Sequence, residues 1–248
     1  MKKKLLTAAV LTIAAIALVV ATVFTTVAYL TSSSAVTNTF TVGNVGIELY
    51  ESPVDTDGKK DPAVTGKKTS NGNNYHLLPG KTYDKDPTVY INSGSDTSYL
   101  FVKVRNTIVD IEQGNFVHTG GVTNVNDEKP TIHRQMLSLG WVLLGPTSTG
   151  DVYVYAPQHK TNADSWGSPV GGTTNIDQVD VFHTFTVDEH ADVSLYGGAK
   201  VNITAFAIQT AGFAGDVGSK TAVTAAWNAI VETYPYESGA INSDTVGA

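Results

Sequence analysis

Tyr99-Leu100-Phe101-Val102-Lys103-Val104-Arg105 carries the clearest periodicity in the chain. Leu100, Val102 and Val104 fall on one side of an extended chain; Tyr99, Phe101, Lys103 and Arg105 fall on the other. Successive side chains of a strand point to opposite faces, so this alternation of β-branched and aromatic residues predicts a strand. Val201-Asn-Ile-Thr-Ala-Phe-Ala-Ile208 alternates in the same way, but both of its faces are apolar or small. That pattern predicts a central strand.

Val36–Val42, Val45–Leu49 and Thr88–Ile91 read as further strands. Leu139–Leu144 and Val152–Tyr155 read as a hairpin turning around Gly145-Pro146 and Gly150, and Val179–Val187 as one continuous strand. Turn chemistry separates them: Leu77-Leu78-Pro79-Gly80 puts Pro and Gly at turn positions, and Asn92-Ser-Gly-Ser-Asp96 is a second turn. Residues 52–75 read as a solvated loop, 112–138 as a polar insertion with a short helix near Ile132–Leu137, and 156–178 as a second polar insertion. One longer helix is expected over Thr221–Thr233. Val223, Trp227, Ile230, Val231 and Tyr234 share one helical face there, and Pro235 stops it. Short strands, frequent turns and one late helix point to an all-β, jelly-roll-like antiparallel β-sandwich with polar insertions.

The first residues have a different purpose. Met1-Lys2-Lys3-Lys4 is a basic start, Leu5–Leu30 carries no charge, and Thr26-Val27-Ala28 supplies the small residues a signal peptidase requires. Cleavage is expected between Ala28 and Tyr29. The run is also long enough to span a bilayer. Five threonines interrupt it, however, and no basic stop-transfer cluster follows. Residues 29–248 then form a single domain, with 29–35 a candidate donor strand and 237–248 a loose tail.

Loss of Lys2, Lys3 and Lys4 takes the net charge from −7 to −10. So acidic a chain repels phosphate backbones, which argues against nucleic-acid binding. The 248 residues contain no cysteine, so disulfides, thiol catalysis, cysteine zinc sites and iron–sulfur clusters are excluded.

Motifs for chemistry are sparse. The six histidines, His76, His118, His133, His159, His183 and His190, form no His-Glu-x-x-His zinc pattern. Asp188-Glu189-His190-Ala191-Asp192 is the densest set of potential metal ligands, and reads as a polar turn after a strand. Asp55-Thr56-Asp57-Gly58 begins like a calcium loop, but Lys59 and Gly66 occupy the fifth and twelfth positions, where ligands are required. No nucleophile elbow, phosphate loop or dinucleotide fingerprint occurs. The expectation is a non-enzyme with no catalytic residue, no metal and no cofactor.

Several of these segments together resemble a known family. Ala28-Tyr29-Leu30-Thr31, Val36-Thr-Asn-Thr-Phe-Thr-Val-Gly-Asn-Val45 and Ile47-Glu-Leu49 resemble the start of TasA/CalY/camelysin proteins, which a dedicated signal peptidase, SipW, processes. Leu78-Pro-Gly-Lys-Thr82, the turn at Asn92-Ser-Gly94 and Val201–Phe213 followed by Ala225-Ala-Trp227 extend the likeness over most of the mature chain. The resemblance implies a jelly-roll fold and a secreted biofilm-matrix or cell-surface protein, partnered by that peptidase during export and by other matrix or surface components. It also implies head-to-tail homopolymers, in which Tyr29, Leu30, Thr31, Ser32, Ser33, Ser34 and Ala35 are added as a strand to the next subunit. Alternatives are a non-polymeric surface adhesin or accessory protein, or a camelysin-like surface metallo-endopeptidase. The fibre reading also has a physical basis. A polar, strand-compatible lead-in has little reason to pack on its own body, and an open sheet edge accepts an incoming strand. Such contacts are head-to-tail and do not close, so they propagate into filaments.

Overall fold

The computed structural model of the protein describes residues 38–42, 44–64, 68–115, 130–172 and 174–235. The expected signal peptide (1–28), donor segment (29–35) and tail (237–248) lie outside the described residues, as does the middle of the first insertion.

The fold is mainly β. Its strands are β1 (Asn38–Val42), β2 (Ile47–Tyr50), β3 (Thr82–Asp84), β4 (Thr88–Ile91) and β5 (Ser98–Asn106). They continue with β6 (Trp141–Thr147), β7 (Gly150–Tyr155), β8 (Gln178–Asp180), β9 (Thr184–Thr186) and β10 (Val201–Gln209). Among the described residues two α-helices accompany them, α1 (Ile132–Ser138) and α2 (Lys220–Thr233). One sheet has the order β1-β10-β5-β7-β6, a second β2-β4-β8, and a third pairs β3 with β9. Every pairing is antiparallel except β1 with β10, which run parallel with Asn38 opposite Thr204 and Val42 opposite Ile208.

The alternation that defines β5 also separates two cores. Leu100, Val102 and Val104 join Ile203, Ala205 and Ala207 of β10 in one buried cluster with Ile47, Leu49, Val89, Ile91 and Val179 of the second sheet. Tyr99 and Phe101 point the other way. They pack with Phe206, Val152 and Val154 beneath α2, which presents Val223, Ala226, Trp227 and Ile230. Both faces of β10 are therefore covered, and β10 lies between β1 and β5, as its apolar sequence requires. Ser219 caps α2 by accepting the Ala222 N–H at 3.3 Å. α2 ends just before Pro235.

Four features differ from the sequence reading. First, the expected antiparallel sheet contains the parallel β1–β10 pair. Second, residues 179–187 form two strands in two sheets. The Gln135 side-chain oxygen accepts the His183 and Thr184 N–H groups, both at 3.1 Å, and so replaces the ladder at the break. Third, the hairpin turns at Thr147–Gly150. Gly145 and Pro146 stay within β6, where a bulge lies between Leu143 and Gly145. Fourth, the loop 52–75 is anchored rather than merely solvated. Glu51 and Thr69 exchange backbone hydrogen bonds at 3.0 and 2.8 Å, and Tyr75 packs edge-on against Tyr83 and Phe185.

Candidate functional site

The carboxylate clusters singled out in the sequence are tied into local turns by hydrogen bonds. Asp188 is fully buried, and its Oδ1 accepts the His190 N–H at 2.9 Å. Glu189 stands largely exposed 3.9 Å from the His190 ring, and Asp192 accepts from the Ser194 N–H and hydroxyl at 3.0 and 2.6 Å. This is the polar turn expected after a strand. Asp55 likewise spends one oxygen on the N–H groups of Asp57 and Lys59, both at 2.9 Å. Lysines neutralise its neighbours: Lys81 meets Asp57 at 3.2 Å, Lys59 meets Asp84 at 3.3 Å and Lys60 meets Asp86 at 2.9 Å. Among the described residues no three His, Asp or Glu side chains converge to hold a metal ion. No helix among them is long and apolar enough to cross a membrane.

Sequence reasoning missed a cleft of about 210 Å³ where the end of β5, the first turn of α1 and the start of β7 meet. Arg105, Asn106, Glu112, His133, Asp151 and Tyr153 line it. Glu112 is only 2 % exposed. Its Oε1 accepts the Ile132 N–H at 2.9 Å and its Oε2 accepts from the Asn106 amide at 2.8 Å. One carboxylate thus ties the first residue of α1 to the end of β5. In the same cleft His133 Nδ1 lies 2.8 Å from the Tyr153 hydroxyl.

Burial dominates the electrostatics here, because a charged group loses its hydration inside the fold. It pushes the Glu112 carboxyl up to about 7, against the two N–H donors that favour its charged form. It raises Asp151, with His133 opposing, and raises the Tyr153 phenol, helped by the charges of Asp151 and Glu112. It lowers His133, with Asp151 opposing and Arg134 adding to the shift.

An acid, an imidazole and a phenol therefore share one concavity, but its lining has no serine, threonine or cysteine. Glu112 has both oxygens engaged and acts as a brace between elements. The one signal in the sequence was Asp151 and Tyr153 alternating with Val152 and Val154 on β7.

Comparison with family models, curated proteins and solved structures returns no match. A functional reading therefore rests on the residues alone.

Gly150 shapes the cleft floor at φ +145°, and a Cβ there would lie 2.6 Å from the Val104 carbonyl oxygen. Gly150→Ala should cost about 1–3 kcal/mol through backbone strain and this clash with backbone. The urea midpoint would report it; an unchanged midpoint would mean that the β5–β7 spacing yields easily.

Proposed function

We propose that the chain is an exported extracellular structural protein. In this reading it is a biofilm-matrix fibre subunit that joins copies head-to-tail by lending Tyr29–Ala35 as a strand. The observation that carries the reading is the place of β1. Among the described residues it is an edge strand of the five-stranded sheet, bonded to β10, and it begins at Asn38, shortly after the candidate donor. Residues that precede an edge strand can pair with another copy while β10, β5 and their two cores stay intact. The other edge of this sheet, β6, carries Pro146 and a bulge. Both features discourage strand addition, so the receiving edge lies elsewhere.

A jelly-roll-like sandwich suits the same reading. Its support is the core shared by the five-stranded and three-stranded sheets. Export would involve the dedicated signal peptidase and end with the subunit in the matrix or at the cell surface, as a non-enzymatic partner of its own copies.

Deleting 29–35 tests assembly. The expected product is a folded, soluble monomer, because the strands from Asn38 onward remain. Electron microscopy of concentrated mature protein should show filaments only when the segment is present. Filaments of equal length and yield from the deletion variant would exclude the donor-strand mechanism. A variant that does not fold would assign the segment to its own subunit's core.

A further inference from the structure

Glu51 and Lys85 form a buried pair, joined by half-buried Asn73, to which neither the cleft nor the fibre reading gives a role. Glu51 is 6 % and Lys85 4 % exposed. The Lys85 ammonium donates to Glu51 Oε2 at 2.7 Å. The other oxygen, Oε1, accepts from Asn73 Nδ2 at 3.0 Å. The same amide nitrogen donates to the Ser52 carbonyl at 2.8 Å, and Asn73 Oδ1 accepts the Val54 N–H at 3.1 Å. An amine and a carboxamide are therefore held on the two oxygens of one carboxylate. Tyr75 borders both Glu51 and Asn73 and packs against Tyr83 and Phe185.

Backbone bonds fix all three residues. Glu51 is pinned by its paired bonds with Thr69, and Lys85 by its N–H to the His183 carbonyl at 2.9 Å. Asn73 is pinned through both ends of its amide. A buried ion pair is a poor stabiliser, because desolvation offsets the attraction. A reaction that removes both the charge on the lysine and the free amide would relieve that cost.

The geometry points to an autocatalytic isopeptide cross-link between Lys85 Nζ and Asn73 Cγ, with Glu51 as the proton shuttle. The proton on the 2.7 Å hydrogen bond passes to Glu51, leaving a neutral amine. The amine lone pair attacks Asn73 Cγ by rotation about the terminal lysine torsions. Charge develops on Oδ1, where the Val54 N–H already donates. Glu51 delivers its proton to Nδ2 and takes one from Nζ. The tetrahedral centre collapses, the Cγ–Nδ2 bond breaks and ammonia leaves. The Nζ–Cγ amide remains and Glu51 ends as a neutral, protonated acid, so that no unpaired charge is left in the buried site. No oxidant, metal or external nucleophile is consumed. In a chain without cysteine, this bond would fasten the loop carrying Asn73 to the end of β3, as a disulfide would elsewhere. It does not depend on fibre assembly, and its test reads the single chain.

The full chain, purified folded, is weighed intact and after trypsin. Cleavage after Lys81 separates Asn73 from Lys85, so a cross-link leaves two peptides covalently joined. The expected result is that branched pair, and an intact mass lower by one ammonia, about 17 Da. Lys85→Arg and Glu51→Gln should each restore the full mass. Wild-type protein of full mass, with the two peptides separate, would overturn the proposal and leave a buried ion pair only. The same mass loss persisting in Lys85→Arg would overturn it too, by assigning the loss to asparagine cyclisation, for which Asn71-Gly72 is the obvious place. If the variants fail to fold, the branched peptide from wild type still decides the matter.

Discussion

Trp227→Ala is expected to destabilise the protein by about 3–5 kcal/mol, the range for removing a large buried aromatic. Trp227 is 1 % exposed and is the centre of the contact between α2 and the five-stranded sheet. Its ring lies 5.4 Å from both Phe101 and Phe206, tilted to one and edge-on to the other. Alanine would leave a cavity under a helix held mainly by this face. In a domain of this size the melting temperature should fall by roughly 10 °C. Trp227→Phe should be much milder. The Trp227 Nε1 is buried and makes no hydrogen bond among the described residues. Phenylalanine gives up ring volume, but also removes an unpaired donor whose burial is costly. Urea unfolding of both variants checks the order. Equal midpoints for wild type and Trp227→Ala would mean that α2 does not cover the sheet in solution.

That core was legible because its signals are local. The faces of β5 follow from period two, and the buried stripe of α2 follows from period 3.6, so Tyr99, Phe101 and Trp227 could each be placed from the sequence. What escaped depended on partners distant in the chain. The break in 179–187 is made by Gln135, more than forty residues away, and no pattern within 179–187 announces it. The parallel pairing of β1 with β10 joins residues about 165 positions apart. Glu112 looked like the first residue of a polar insertion, and its burial comes from Asn106, Ile132 and Tyr153 closing around it. Nothing in the spacing of Glu51, Asn73 and Lys85 groups them; the turn at Asp55–Gly58 and the short strand β3 bring them together. Polar stretches were read as solvated because composition does not distinguish a side chain facing water from one facing inward.

Glu112 makes the fold sensitive to pH. Its carboxyl titrates at about 7 in the folded chain, against a usual 4.5. Between those values the folded chain holds a proton that the unfolded chain has lost. Its contribution is therefore complete below about pH 4.5 and is lost as pH rises through 7. The difference corresponds to ~3 kcal/mol at full effect. The neighbouring groups divide. Asp151, also raised by burial, acts in the same direction, whereas His133, lowered by burial, destabilises the fold as pH falls. Glu112→Gln isolates the acid. At pH 5 the wild-type carboxyl is itself protonated and, like the amide, offers one full acceptor to the Ile132 and Asn106 donors, so the variant should start close to wild type. From pH 5 to 7.5 wild type should lose stability in urea titrations while Glu112→Gln changes far less, and the two curves should diverge. A wild-type profile that is flat over this range, or parallel to that of Glu112→Gln, would mean that the carboxylate keeps its charge in the cleft. The two N–H donors on its oxygens would then outweigh burial.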